Sequence, residues 1–229
     1  MLQLLVITPM KEEKTLFAQR CSESGYRSLE TDIGRLSALS FPGLNLTLAR
    51  GGIGKVQFAV QTQHLLESGI EPDLVICAGA GGALVDHLQV GDVVIGTSTI
   101  EHDFREGFID IPRPKFDVDP VVVESLTQNR AAEFEFQVDF GIVASGDEDI
   151  VSQDIRKALH DMTGAIAVGW EGAGGARACQ FNGVDFVEIR GITDAADEGA
   201  AADFRQNLGI AMDNIAQFII AWITHDERS

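Results

Sequence analysis

The chain has 229 residues, of which 45% are hydrophobic and 24 are glycine, a composition typical of a globular α/β protein and not of a disordered one. Its formal net charge is −18, and it lacks the clustered Lys and Arg that bind phosphate backbones, so we expect no nucleic-acid partner. The apolar runs fall short of the roughly 18 residues that span a bilayer, and the N-terminal run lacks the basic flank of an export signal. We therefore expect a cytoplasmic protein without a membrane partner.

The N-terminal part of the chain is predicted to contain two helices and a β-hairpin. An apolar strand from Leu2 to Thr8 is followed by a helix from Met10 to Ser24. Alternating apolar residues from Leu36 to Phe41 and from Leu44 to Leu48, separated by a Pro-Gly pair, predict this hairpin or a meander, and an amphipathic helix follows from Val56 to Glu67. Glu13 falls in the first helical turn, where acids commonly complement the helix dipole. That turn also follows the carboxyl end of a strand, so the carboxylate can equally face a ligand.

Two glycine-rich segments depart from the patterns of nucleotide-binding loops. The glycine spacing of Arg50 to Lys55 is not that of a P-loop, although such a strand-to-helix junction can present backbone N–H groups to an anion or a water. Asp73 to Ala78 is a buried strand that runs into Gly79 to Ala83, and Leu84 occupies the last glycine position of the dinucleotide fingerprint. We therefore predict that Gly79 to Ala83 is a turn whose backbone passes close to a ligand or a neighbouring strand.

The middle of the chain contains a mostly polar loop that carries three phenylalanines. Phe104, Phe108 and Phe116 lie between Ile100 and Asp119, and such apolar side chains must either pack on the protein body or contact a partner. No linker or low-complexity segment divides residues 1–229, so we expect a single domain. The other predicted elements are strands from Val90 to Thr97 and Glu135 to Ala144, and helices from Pro120 to Gln128, Asp154 to Met162 and Ala201 to Trp222.

A segment near the C-terminus delivers two carboxylates to strand ends. Apolar runs from Ala165 to Val168 and from Val184 to Ile189 predict two short strands, joined by a small-residue helix from Ala173 to Cys179. Glu171 and Asp194 follow these strands, and the pattern predicts a βαβ unit. Because ligands bind outside the carboxyl ends of strands in open α/β sheets, we expect both acids in one site.

The other reactive residues do not predict a metal site or a hydrolase nucleophile. His102 and Asp103 are adjacent, but the remaining histidines lack ligand spacing, and Ser145 lies outside a G-x-S-x-G motif. The three cysteines are far apart, as in proteins with reduced thiols. Acids without a metal or a nucleophile suit a reaction that passes through a cation, such as cleavage of an N-glycosidic bond. One acid then protonates the departing base, and another prepares water.

Five segments resemble motifs of the nucleoside phosphorylase and nucleosidase superfamily, in the same order and with similar spacing. Within it the chain looks most like the 5′-methylthioadenosine/S-adenosylhomocysteine nucleosidases. The segments are Ile7 to Glu13, Gly52 to Val56, Pro72 to Asp92, Val168 to Glu171 and Arg190 to Asp194. The resemblance implies a single-domain three-layer α/β/α fold with a central mixed, partly barrel-like sheet, and a purine nucleoside as the small-molecule partner.

The resemblance also implies roles for individual residues. Glu13 is the base that activates water, Asp194 protonates N7 of the purine, and Glu171 binds the ribose hydroxyls. Other expected site residues are Trp170, Asp149, Ile150, Ala80 and Gly81 at the substrate, with Arg190 and Arg50 in support. We expect no metal or cofactor. The position of the phenylalanine-bearing loop implies a homodimer, with a higher homo-oligomer as the alternative, because this segment closes a neighbouring subunit's pocket in these enzymes.

Four positions depart from the family pattern and bear on the substrate. Ala80 replaces a serine of the glycine loop, Trp170 replaces a methionine, and Gly169 replaces an acid. Asp149 replaces the aromatic residue that stacks on the base, which favours a base with a hydrogen-bond donor edge, such as guanine, or a reshaped pocket. The missing serine and the acidic Glu13 favour water over phosphate as the nucleophile. A purine nucleoside phosphorylase, a futalosine-hydrolase-like enzyme and a non-catalytic nucleoside-binding or storage relative stay open as alternatives.

Overall fold

The computed structural model describes residues 2–104, 111–129 and 134–226. These ranges contain ten strands, six α-helices and one 3₁₀ turn at Pro42–Leu44. The strands are β1 (Leu4–Thr8), β2 (Leu29–Ile33), β3 (Leu36–Phe41), β4 (Leu46–Arg50), β5 (Leu74–Ala83), β6 (Val93–Glu101), β7 (Lys115–Asp117), β8 (Val138–Ser145), β9 (Ala165–Gly169) and β10 (Asp185–Asp194). The α-helices are α1 (Lys11–Glu23), α2 (Lys55–Glu67), α3 (Pro120–Gln128), α4 (Gln153–Thr163), α5 (Gly172–Asn182) and α6 (Ala200–Asp226).

The strands of the described residues form one mixed sheet that is partly closed. Strands β10, β6, β8, β9 and β5 make a ring, because β5 pairs with both β9 and β10. From β5 the sheet continues through β1, β4, β3 and β2, and β1 is parallel to both of its neighbours. The expected α/β fold with a mixed, partly barrel-like sheet is therefore confirmed.

Helices cover both faces of the sheet, which gives three layers. Leu4 of β1 lies in a cluster with Phe17 of α1 and Phe218 of α6. The next residue, Leu5, points to the opposite face and lies in a cluster with Phe58 of α2. Successive side chains of a strand point to opposite faces, so an uninterrupted apolar strand can serve both layers. This explains why β1 is apolar along most of its length and buried throughout.

The predicted βαβ unit is wrong in its topology. Strands β9 and β10 are not parallel neighbours: β5 lies between them, antiparallel to β9 and parallel to β10. The two acids nevertheless meet because Gly82 of β5 pairs with Val168 of β9 and also with Asp194 of β10. The ring therefore brings together carboxylates that a simple crossover would have placed on adjacent parallel strands.

The predicted glycine turn after Ala78 is also wrong, although the close approach is real. Residues 79–83 continue strand β5, which is ten residues long. A Cβ atom on Gly79 would lie 2.9 Å from Nη1 of Arg190, and one on Gly81 would lie 2.9 Å from the carbonyl oxygen of Val168. Glycine is needed here because neighbouring groups occupy the space of a side chain, and not because the chain turns.

Part of the phenylalanine-bearing loop packs on the body of the protein. Phe116 lies in β7, which pairs with β6, and its ring centroid is 5.4 Å from Cζ of Arg177. Phe104 is half-buried, and Phe108 lies outside the described residues. Over the described ranges, none of the helices combines the length and the apolarity that a membrane span requires.

Candidate active site

The predicted site residues, with one exception, line a single cavity of about 420 Å³. The cavity lies where the carboxyl ends of β1, β9 and β10 meet the glycine-rich half of β5 and the start of α6. Arg50 is the exception, because it is exposed at the end of β4 and does not line the cavity. The lining includes the predicted residues Glu13, Ala80, Gly81, Asp149, Ile150, Trp170, Glu171, Arg190 and Asp194.

Glu13 is buried at the start of α1 and is held by two backbone N–H groups. The amide of Met10 donates to Oε2 at 2.8 Å, and the amide of Ala80 donates to Oε1 at 3.0 Å. The side chain is only 2% exposed, and this desolvation, with some repulsion from Glu171, raises the pKa of Glu13 to about 7. A carboxylate with a pKa near neutrality can accept a proton at physiological pH.

Glu171 follows β9 and is oriented by an arginine and a helix N-terminus. Its Oε2 atom accepts a hydrogen bond from Nη2 of Arg190 at 3.1 Å, and its Oε1 atom accepts from the amide of Gly54 at 3.2 Å. The adjacent amide of Lys55 donates to Oδ1 of Asp147 at 2.8 Å. The start of α2 thus presents two N–H groups to carboxylates. The N-terminus is the end of a helix that favours negative charge.

Arg190 is a fully buried cation between two carboxylates. Besides Glu171, its Nε donates to Oε1 of Glu188 at 2.7 Å, and its Nη1 donates to the carbonyl oxygen of Ala80 at 3.0 Å. Burial alone would lower the pKa of Arg190, but Glu188 and Glu171 outweigh it and hold that pKa well above its usual range. Ala80 therefore connects the two side chains: its carbonyl oxygen accepts from Arg190, and its N–H donates to Glu13.

Asp194 ends β10 and is buried beside two donors. Oγ1 of Thr193 donates to Oδ2 at 2.7 Å, and the amide of Ala196 donates to Oδ1 at 3.0 Å. Desolvation by burial, with repulsion from Asp203 and Asp197, raises the pKa of Asp194 above its ordinary value. The protonated form that a general acid needs is therefore more accessible than in an exposed aspartate.

The loop after β8 borders the Asp194 side of the cavity. Ile150 lies in a buried cluster with Val168 and Ala196, the residue whose amide binds Asp194. Asp149 is exposed and lines the cavity, and its carboxylate has no hydrogen bond or ion pair within the described ranges. Trp170, half-buried, lines the cavity next to Glu171.

The residues described here contain no group of three or more His, Cys, Asp and Glu side chains that could hold a metal ion. His102 is buried, and this desolvation lowers the pKa of its imidazole below the ordinary value, which favours the neutral form. The three cysteines are free and buried. The ionisable side chains that line the cavity are carboxyl groups and two arginines, the buried Arg190 and the exposed Arg205.

Comparison with known proteins establishes the family. A sequence model of the Phosphorylase superfamily matches residues 3–224. The chain belongs to the phosphorylase superfamily. The resemblance predicted from the motifs is thereby confirmed.

Its relatives in this superfamily include nucleosidases. The chain is 31% identical over 192 residues to the 5′-methylthioadenosine/S-adenosylhomocysteine nucleosidase of Actinobacillus succinogenes, covering 81% of this chain and 83% of the relative. It is 31% identical over 228 residues to the enzyme of that name from Bacillus thuringiensis, covering 96% and 97%. Both relatives are named as nucleosidases, which are N-glycosyl hydrolases, so the predicted enzyme class is confirmed at the level of the family.

Solved structures agree with this assignment. The 5′-methylthioadenosine/S-adenosylhomocysteine nucleosidase of Neisseria meningitidis, in complex with methylthio-immucillin-A, matches with a TM-score of 0.83 and 30% identity. The match covers 97% of this chain and 98% of that one. Futalosine hydrolase of Helicobacter pylori has a TM-score of 0.83 at 24% identity and 97% coverage of each chain, which shows the shared fold.

Glu188 and Thr193, which bind Arg190 and Asp194, were not predicted from the sequence. Glu188 lies in the apolar run of β10, two residues before Arg190 and therefore on the same face of the strand. An acid in an otherwise apolar strand, spaced by two from an arginine, was the available signal. Thr193 was overlooked because a threonine beside an aspartate carries no distinctive pattern.

The raised pKa of Glu13 predicts a specific dependence of stability on pH. A carboxyl group whose pKa is about 7 when folded and 4.5 when unfolded binds its proton more tightly in the folded state. Its contribution to stability is full below pH 4.5 and is lost as the pH rises through 7. Between pH 5 and pH 8 the wild type should therefore lose roughly 2 to 3 kcal/mol more of its unfolding free energy than Glu13→Gln.

Urea denaturation of both proteins at the two pH values measures this difference. Comparing how the unfolding free energy changes with pH removes any pH-independent cost of the glutamine substitution. Glu12→Gln is the matched control, because Glu12 occupies the same helical turn but is exposed. Parallel stability profiles of the wild type and Glu13→Gln would show that the carboxyl group is not desolvated as described.

Proposed function

We propose that this protein is a nucleosidase that hydrolyses the N-glycosidic bond of a purine nucleoside, of the methylthioadenosine or adenosylhomocysteine kind. The observation that carries the proposal is that Glu13, Glu171 and Asp194, which are distant in sequence, line one cavity around the buried Arg190. The match of residues 3–224 to one superfamily also supports treating the chain as a single domain.

The proposed mechanism divides the reaction among the three acids. Asp194, protonated, donates to N7 of the purine, so that the base departs without accumulating negative charge. Glu171 accepts hydrogen bonds from the 2′- and 3′-hydroxyls and places negative charge beside the sugar as it becomes cationic. Glu13 takes a proton from the attacking water, and its pKa of about 7 suits that task at neutral pH.

Water is favoured over phosphate as the nucleophile. Three of the N–H groups of Arg190 are directed to Glu188, Glu171 and Ala80, so this cation is largely neutralised by the protein itself. A phosphate at the same place would be repelled by Glu13 and Glu171 in a site of low dielectric constant. Arg205 also lines the cavity, but from an exposed position at its rim.

The base is proposed to present hydrogen-bond donors to Asp149. Asp194 holds the base in the proposed mechanism, and the loop that carries Asp149 and Ile150 borders that side of the cavity. A carboxylate without a partner from the described part of the chain is an acceptor for the amino group of adenine or for the N–H and amino edge of guanine. Trp170, Ala80 and Gly81 shape the remaining wall.

A nucleoside panel tests the function directly. The protein is incubated in phosphate-free buffer with methylthioadenosine, adenosylhomocysteine, adenosine, guanosine, inosine or futalosine, and free base is measured by chromatography. We expect base to be released without phosphate. The member cleaved with the highest kcat/KM identifies the base and the 5′ substituent. Sugar phosphate formed only when phosphate is present would instead support a phosphorylase, and binding without turnover would support a non-catalytic relative.

Asp194→Asn tests the proposed acid. The amide cannot donate the carboxyl proton to N7, so kcat on the best panel substrate should fall by about 10² or more. Asp185→Asn is the control, because Asp185 is exposed at the opposite end of the same strand and should keep wild-type kcat. Retention of near-full activity by Asp194→Asn would remove this residue from the mechanism.

We also propose that the protein is a cytoplasmic homodimer. Val56 and Val60 of α2 and Phe181 of α5 are 74%, 63% and 83% exposed, an apolar face of the kind that a protein partner covers. Ile53 is exposed beside this face and lines the cavity, so a second subunit here would also close the site. The free, buried cysteines support a reducing compartment.

The dimer is tested by light scattering at micromolar concentration. We expect a mass of twice 24.7 kDa for the wild type. Phe181→Asp should shift the mass toward that of one chain and raise KM, because the charge would be buried in the interface. A wild-type monomer, or an unaltered Phe181→Asp dimer, would contradict the proposal.

A further inference from the structure

Glu188 is a buried carboxylate to which the proposed mechanism assigns no role. It is 0% exposed, and it does not line the cavity. Its Oε1 atom accepts from Nε of Arg190 at 2.7 Å, and its Oε2 atom accepts from Oγ1 of Thr99 at 2.7 Å. Both oxygens are therefore satisfied, as burial of a charge requires. Arg190 already forms an ion pair with Glu171, so Glu188 is a second carboxylate on the same cation.

The second carboxylate changes the charge that the site presents to the sugar. A single Arg190–Glu171 pair would be neutral overall, and the arginine would draw electron density from the carboxylate that faces the ribose. With Glu188 on the other side of the guanidinium, one cation is shared by two anions, so the buried cluster carries a net negative charge. In a medium of low dielectric constant such a charge acts strongly on a neighbouring cation.

Two glycines make room for this arrangement. A Cβ atom on Gly172 would overlap the carboxylate of Glu188, and one on Gly169 would overlap the guanidinium of Arg190. Position 169 is where the family resemblance places an acid, and here the guanidinium occupies that space. The chain therefore supplies the second carboxylate from the strand of Arg190 itself, two residues away and on the same face.

We propose that Glu188 is a positioning residue for glycosidic cleavage, which shares the charge of Arg190 so that Glu171 keeps its full negative charge toward the cationic sugar. The inference rests on the proposed function. If Glu188 served only folding, it would need only to neutralise Arg190. Its substitution would then change the fraction of active protein, but not how the site distinguishes a cationic sugar from a neutral one.

Glu188→Gln separates charge from shape. The amide oxygen can still accept from Arg190, and the amide nitrogen can donate to Oγ1 of Thr99 after its hydroxyl rotates. We expect kcat on the best panel substrate to fall about tenfold or more, with KM changed less than about threefold, because the missing charge matters mainly when the sugar becomes cationic. Asp161→Asn is the matched control, since it removes one charge from an exposed side chain on α4 and should leave both constants unchanged.

Calorimetry with two ligands provides the decisive readout. One ligand is an iminoribitol nucleoside analogue whose ring nitrogen is protonated, and the other is a neutral nucleoside with a carbon–carbon glycosidic bond. In Glu188→Gln the Kd of the cationic ligand should rise about tenfold relative to that of the neutral ligand, with one site per chain retained. Equal changes in both Kd values, or a loss of sites at unchanged Kd, would overturn the proposal.

The outcome for Glu188 can be told apart from that for the proposed function. If the wild type releases no base from any nucleoside, the proposed function fails, and the ratio of the two Kd values still decides whether Glu188 tunes the charge at the sugar. If the wild type is an active nucleosidase and Glu188→Gln keeps wild-type kcat and the wild-type Kd ratio, only the inference about Glu188 is wrong.

Discussion

The site depends on one buried guanidinium. An arginine does not lose its proton in a protein, so a fully buried Arg190 must be surrounded by acceptors or destabilise the fold. Glu188 from the same strand, Glu171 from the end of β9 and the carbonyl of Ala80 from β5 supply them. The requirement therefore ties three elements together at one point. The N–H of Ala80 donates to Glu13, so the burial of Arg190 also constrains the start of the first helix.

The closed ring of strands explains why this point exists. Strand β5 is ten residues long, and only its first half pairs with β1. Its glycine-rich second half pairs with β9 on one side and β10 on the other. Bulky residues in that half would displace Arg190 and the backbone of Val168. The same small residues that allow the sheet to close thus leave the space in which a ligand and the three acids can meet.

Much of this arrangement could be predicted from the sequence, and the reasons for the failures are physical. The helix of Pro120–Gln128 and the acids after β9 and β10 were predictable, because periodicity and strand ends are local properties. The separation of β9 from β10 by β5 was not, because strand pairing is set by long-range packing. Residues 79–83, three of which are glycine, were predicted to form a turn, since a glycine required by a close neighbour looks the same in sequence as a glycine required by a positive φ. Glu188 was missed because the sequence does not show that its partner, Arg190, becomes buried when the ring of strands closes.

Environment, and not residue type, distinguishes the proposed base from the proposed acid. Burial raises the pKa of both Glu13 and Asp194, but their partners differ. Glu13 accepts two backbone N–H groups, which favour its charged form and limit the rise to about 7. Asp194 accepts one hydrogen bond from the Thr193 hydroxyl and one from the Ala196 amide, and Asp203 and Asp197 raise its pKa as Glu171 raises that of Glu13. Burial makes both carboxyl groups easier to protonate than exposed ones, and their positions favour the roles proposed for them: Glu13 lies at the Ala80 amide, and Asp194 lies beside the loop of Ile150.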